Sequence, residues 1–121
     1  LKKVAPEECF TFKKFVKNTS IGTSTMIVKR SSIGNIKFSN TKICEDYFFK
    51  CQILKKVNYA YCFPESLTRY RIRKDSLQSN KLRNFYWIWY INKKFNKLSF
   101  FENCISLIGI SINSLRKYGF K

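Results

Sequence analysis

The 121-residue chain contains no histidine. That absence removes the side chain that most often moves a proton near neutral pH, together with Ser-His and Cys-His nucleophile systems and every His-containing metal site. Acidic residues are scarce too: 7 against 24 Lys+Arg, a net charge of +17. Charge therefore admits nucleic acid, an anionic membrane surface or phosphate-bearing substrates as partners, and argues against cationic ones. With only 4 Gly and 2 Pro there is no Pro/Gly-rich linker, and no internal repeat or low-complexity tract divides the chain. The five cysteines (Cys9, Cys44, Cys51, Cys62, Cys104) are odd in number and contain no Cys-x-x-Cys pair. They point away from a zinc knuckle or a closed disulfide framework and toward a reducing, cytoplasmic setting. No apolar run reaches the roughly 20 residues of a membrane-spanning helix. The longest nearly uncharged stretch, 103–115, is interrupted by Ser106, Ser111, Asn113 and Ser114. The opening LKKVAPEECF lacks the apolar run and small-residue cleavage site of a signal peptide, and because it begins with Leu1 the chain is expected to be a piece of a longer protein.

What is present is a 45% hydrophobic, 17% aromatic sequence, enough to fill one core and to argue against disorder. Phe10, Phe12, Phe15 and Val16 recur at spacings that predict a short helix ending near Asn18. Residues 23–29 (TSTMIVK) are rich in β-branched side chains between Gly22 and Ser31-Ser32, which predicts a strand. From Cys44 to about Lys56 the pattern is helical, with Tyr47, Cys51 and Leu54 at i, i+4 and i+7 and with Glu45 and Asp46 in the first turn. Residues 59–63 read as a short apolar strand and 67–73 as a second one bearing alternating arginines. A long helix is expected over 77–95, carrying Leu82, Phe85, Tyr86, Trp89 and Tyr90. Another is expected to start at Ser99, an N-cap with Glu102 three residues on, and to stop at Gly119.

Two constellations are chemically informative. Glu45-Asp46 stands at a helix start, where it complements the helix dipole or presents a carboxylate to a cleft. The stretch YRIRKDSLQSNK puts Arg71 and Arg73 near Ser76, a set of guanidinium forks and hydroxyls suited to phosphate oxygens, or else a solvated basic strand face. Trp87 and Trp89 have the shape to stack on sugar rings, but at helical spacing they read first as core.

The order TSTMIVKR, GNIKF, CEDYFFKCQILKK, YAYCFPESLTRYRIRKDSLQSNK resembles the C-terminal half of a bacterial family 2 glycosyltransferase of the GT-A fold, over about residues 18–97. The resemblance implies an α/β fold: the acceptor-side half of a Rossmann-like GT-A domain followed by two C-terminal helices. It divides the chain into an acceptor-binding part, 1–97, and an amphipathic C-terminal helix, 98–121. It further implies transfer of a sugar from a nucleotide-sugar donor to a glycan or lipid-linked acceptor of a cell-surface polysaccharide or lipopolysaccharide, with inversion. Asp46 would be the catalytic base and Glu45 its supporting neighbour. Arg71, Arg73, Ser76 and, by likeness to the family's acceptor-side strand, Thr25 would bind substrate or diphosphate.

Three departures shape this expectation. No Asp-x-Asp-type pair occurs, so a divalent metal (Mg or Mn) is expected to be held by a nucleotide-binding half of about a hundred residues preceding Leu1, with no metal bound by this segment and no activity from it alone. Arg73 stands where many relatives carry His, and a guanidinium pairs with phosphate but does not ligate a cation. The E-D-Y-D-F-W form becomes EDYFFK, which places Phe48 where a second Asp often stands. Ile105, Ile108, Ile112 and Leu115 share one face of the last helix, with Arg116, Lys117 and Lys121 at its end. That face is expected to pack on the domain or to rest on an anionic membrane, as at the inner face of the plasma membrane. The alternative class is a small basic RNA- or DNA-binding module, which charge and aromatic content support; no recognisable nucleic-acid motif does, and nucleic acid is not a partner that the resemblance implies.

Overall fold

A computed structural model describes residues 7–69, 71 and 80–119. In chain order it contains β1 (Cys9–Phe10), α1 (Phe12–Phe15), a 3-10 turn (Thr23–Thr25), α2 (Arg30–Ile33), α3 (Glu45–Val57), β2 (Ala60–Tyr61), α4 (Lys81–Lys94) and α5 (Phe100–Tyr118). The result is a helical body with one small sheet, a mixture compatible with the expected α/β class.

The amino-terminal helix is shorter than its apolar spacing predicts. Phe10 pairs antiparallel with Ala60 and Cys9 with Tyr61, and the Cys62 N–H extends the ladder to the Glu8 carbonyl at 2.9 Å. Extended backbone committed to this ladder cannot be helical, so α1 begins only after Thr11, whose hydroxyl accepts from the Lys14 N–H at 3.2 Å. The strand expected over 23–29 does not form. Residues 23–25 make a 3-10 turn, closed by the Thr25 N–H on the Gly22 carbonyl at 3.2 Å, and the chain then runs through extended Met26 into α2. A strand needs a hydrogen-bonded neighbour, and among the described residues only β1 and β2 pair. Ile27, left without a ladder, is 98% exposed. Likewise, 67–69 and Arg71 are irregular rather than a strand, while Tyr70 and residues 72–79 lie outside the described residues.

The core forms where α1, α3, α4 and α5 meet. Tyr47, Cys51 and Leu54 of α3 are all buried, as their spacing predicts, against Phe10, Phe15, Val16, Ile88, Ile91 and Ile110. The Phe15 and Tyr47 rings stack with centroids 5.6 Å apart. Along α4, however, the buried side is Ile88, Ile91 and Asn92. Leu82 and Tyr86, which fall at the helical spacing, are exposed. α5 begins with the anticipated capping box, Glu102 N–H to Ser99 Oγ at 3.3 Å and Ser99 N–H to Glu102 Oε2 at 2.8 Å, and ends at Gly119, which has a φ of 73°.

The joint between α4 and α5 is polar. Asn92 is fully buried; its Oδ1 accepts from the Tyr47 hydroxyl at 2.7 Å and from Asn96 Nδ2 at 2.9 Å. Its Nδ2 donates to Asn103 Oδ1 at 3.1 Å and to Ser106 Oγ at 3.0 Å. Ser106 in turn donates to the Val16 carbonyl, and Asn103 Nδ2 donates to the Trp89 carbonyl at 3.1 Å. Each member is satisfied, so the network fixes helix register without leaving an orphaned amide. Close approach adds to it: a Cβ on Gly109 would lie 2.8 Å from the Lys17 carbonyl oxygen.

Candidate functional site

α3 begins with Cys44 in the left-handed region at φ 62°, which swings the backbone out of the preceding loop and sets Glu45 and Asp46 on the first turn. The unpaired N–H groups there favour anions. Asp46 is held from two sides. Its Oδ2 accepts from Thr23 Oγ1 at 2.8 Å and from Lys50 Nζ, one turn along α3, at 2.9 Å. The Lys50 side chain is 7% exposed whereas that of Asp46 is 30% exposed. The cation is thus sealed into the protein while the carboxylate keeps an opening to the outside.

Burial alone would raise the Asp46 pKa, but the Lys50 hydrogen bond and charge, the Thr23 hydroxyl and the Tyr47 backbone N–H outweigh it. The carboxyl is held below its ordinary range and is ionised at neutral pH. Cys44 responds oppositely. Burial first, then the charges of Asp46 and Glu45, push its thiol up to about 12, with Arg83 and Lys50 opposing. Cys44 is therefore a neutral thiol and not a nucleophile. Arg83, in the first turn of α4, is close enough for its charge to act on Cys44.

Among the described residues, the remaining expected site residues are not drawn to Asp46. Glu45 is exposed. The Thr25 hydroxyl donates to the Gly22 carbonyl at 3.1 Å and closes its own turn, so Thr23, two residues earlier, is the one that reaches the carboxylate. Arg71 is exposed on irregular chain, and Arg73 and Ser76 lie outside the described residues. Trp87 and Trp89 are half-buried rather than core: Trp87 packs edge-on between Tyr86 and Tyr90, and Trp89 edge-on against Phe100 at 5.5 Å. Lys50 was legible as the i+4 partner of Asp46. Thr23 belongs to the Thr23-Ser24-Thr25 run that resembles the family's acceptor-side strand, whereas Arg83 comes from a remote segment and had no local signal.

An open cavity of about 490 Å³ lies elsewhere, lined by residues that include Thr11, Phe12, Leu54, Lys55 and Asn58. Leu54 follows Asp46 by eight positions, roughly 12 Å along α3, so this hollow is at the other end of the helix. Among the described residues no three His, Cys, Asp or Glu converge as metal ligands. The resemblance assigns its divalent ion to another part of the longer protein, and no step is assigned to a metal here.

Over 113 residues the chain is 29% identical to a Bacillus subtilis (strain 168) protein named for teichuronic acid biosynthesis as a glycosyltransferase, TuaG, covering 93% of this chain and 44% of that protein. It is also 33% identical over 95 residues to an uncharacterized glycosyltransferase of Haemophilus influenzae (strain ATCC 51907 / DSM 11121 / KW20 / Rd), covering 78% of this chain and 38% of the relative. The chain is related to glycosyltransferases. This relationship does not favour the nucleic-acid module. The chain spans less than half the length of either glycosyltransferase relative. No family model and no solved structure matches it.

Proposed function

We propose that this chain is the acceptor-side part of a family 2, GT-A-type glycosyltransferase domain, in which Asp46 is the base of an inverting sugar transfer. The supporting observation is the Asp46 carboxylate itself: ionised, anchored by Thr23 and Lys50, and still open on one side at the E-D-Y start of α3. An inverting transfer needs such a group to take the proton of an acceptor hydroxyl as its oxygen attacks the anomeric carbon of a nucleotide-sugar. A hydroxyl is far less acidic than a carboxylic acid, so the proton leaves as the C–O bond forms. Placement then matters more than basicity. Thr23 and Lys50 supply placement by fixing one oxygen.

The leaving nucleoside diphosphate gains negative charge as the bond to the sugar breaks, and cationic side chains stabilise it. Arg83 is close enough for its charge to act on Cys44 beside the Asp46–Lys50 pair, and Arg71, Arg73 and Ser76 are the residues proposed to bind the diphosphate. The donor half and any Mg or Mn would belong to another part of the longer protein. The name of the Bacillus relative, which refers to teichuronic acid biosynthesis, supports a glycan acceptor; a cytoplasmic place of action is part of the same proposal.

The decisive experiment uses a longer polypeptide that contains this chain and its amino-terminal flank. Asp46→Asn should lower sugar transfer from a nucleotide-sugar by about 10²- to 10⁴-fold while leaving nucleotide-sugar affinity unchanged. Unaltered turnover removes Asp46 from the chemistry.

A further inference from the structure

α5 is mounted with its polar side inward. Asn103, Ser106 and Ile110 are buried, and Gly109 lies against Lys17. On the same side Asn113 donates to Asn18 and Ser20, and Lys117 donates to Ser20. These contacts fix the rotation of the helix. Its opposite side is a continuous apolar stripe of Phe101, Ile105, Ile108, Ile112 and Leu115, all exposed, with Ile105 at 51% and Ile108 at 59%. Isolated apolar residues on a surface are ordinary, but five on one helical face mark an interaction surface.

Charge selects the occupant. Two copies of a chain carrying +17 repel one another, whereas an anionic lipid surface attracts it. Glu102, the single acid of α5, is tied up in the capping box, and Lys13 and Lys17 act on it from α1 and the segment that follows. Arg116 follows the stripe at the carboxyl end. No described helix is long and apolar enough to cross a membrane, so such a helix would lie along the surface. Trp89 and Phe100, packed edge to face at the start of the stripe, are the aromatic type that settles at headgroup depth.

We infer that the outward face of α5 docks on an anionic phospholipid bilayer, with the stripe set among the acyl chains and the surrounding basic residues on lipid phosphates. The Asp46 chemistry could fail without touching this inference, because no residue is shared.

The test is co-sedimentation of the 121-residue chain with phosphatidylcholine vesicles carrying about 30 mol % phosphatidylglycerol, against pure phosphatidylcholine, near physiological salt. Binding is expected on the anionic vesicles alone, with at least about tenfold weaker partitioning for the double variant Ile105→Asn/Ile108→Asn. Both positions are exposed, and retained helical circular dichroism confirms that the variant folds. In a Trp87→Phe background, brominated lipid should quench Trp89. Equal binding by variant and parent, equal binding to neutral vesicles, or no binding overturns the inference. So does a dimer that the variant dissociates, which assigns the stripe to a second copy. Vesicle binding that disappears in a longer polypeptide assigns it to an intramolecular partner and likewise overturns it.

Discussion

α3 and α5 are both amphipathic, yet they are mounted in opposite senses. α3 turns Tyr47, Cys51 and Leu54 into the core and carries the Asp46 carboxylate at its partly open start. α5 buries Asn103 and Ser106 and leaves Ile105, Ile108 and Ile112 outside. Periodicity identifies an apolar face in both cases; it does not say what that face meets. For α3 the apolar stripe supplies the packing. For α5 the inward face is chosen by hydrogen bonds that only a matching set of partners on α4, α3 and the chain after α1 can satisfy.

The contrast can be broken most forcefully by equal truncations. Leu54→Ala removes a fully packed side chain from the α3 stripe and should cost about 2–5 kcal/mol of stability. Ile108→Ala on the outward stripe of α5 should stay within about 0.5 kcal/mol. Urea unfolding of the two variants decides it. A large loss for Ile108→Ala would mean that the stripe is covered in solution.

A smaller effect is expected from Asn92→Ala, which takes away the acceptor of the Tyr47 hydroxyl and Asn96 Nδ2 and the donor to Asn103 Oδ1 and Ser106 Oγ in a buried space. Losing one partner of a buried group costs about 1–3 kcal/mol, and the shared network places this variant toward the upper end. If the polar joint merely tolerates its amides, Asn92→Ala will unfold at nearly the parental urea concentration, and the account of how α5 is oriented fails.

How much was legible follows from the range of each interaction. The α3 stripe, the capping box at Ser99 and the stop at Gly119 are written within a few residues of one another, and sequence spacing places them correctly. Glu45 and Asp46 at the start of α3 are equally local. The strand over 23–29 was misread because β composition describes a residue's fitness for a ladder, and no described neighbour pairs with it. Thr23 and Arg83 reach the Asp46 neighbourhood from 23 residues upstream and from α4, a distance no periodicity spans. The apolar stripe of α5 was visible, but its destination depends on Asn92, whose partners include Tyr47 on α3 and Asn103 and Ser106 on α5.

The smallest and most specific effect belongs to Asp46. Its carboxyl is held below the ordinary value, so the folded state favours the ionised form more than the unfolded chain does. The stabilisation is therefore complete above the unfolded pKa, about 3.9, and is lost as pH falls through the lower folded value. Asp46→Asn removes that contribution and leaves the Lys50 ammonium facing an amide. The stability gap between parent and variant should be constant from pH 7 to about pH 5 and should close as the solution is acidified below about 4. Urea midpoints measured across that range give the gap directly. A gap that persists unchanged below the folded pKa would mean that the Lys50 and Thr23 contacts do not favour the charged carboxylate, and the ionised base at the start of α3 would lose its physical basis.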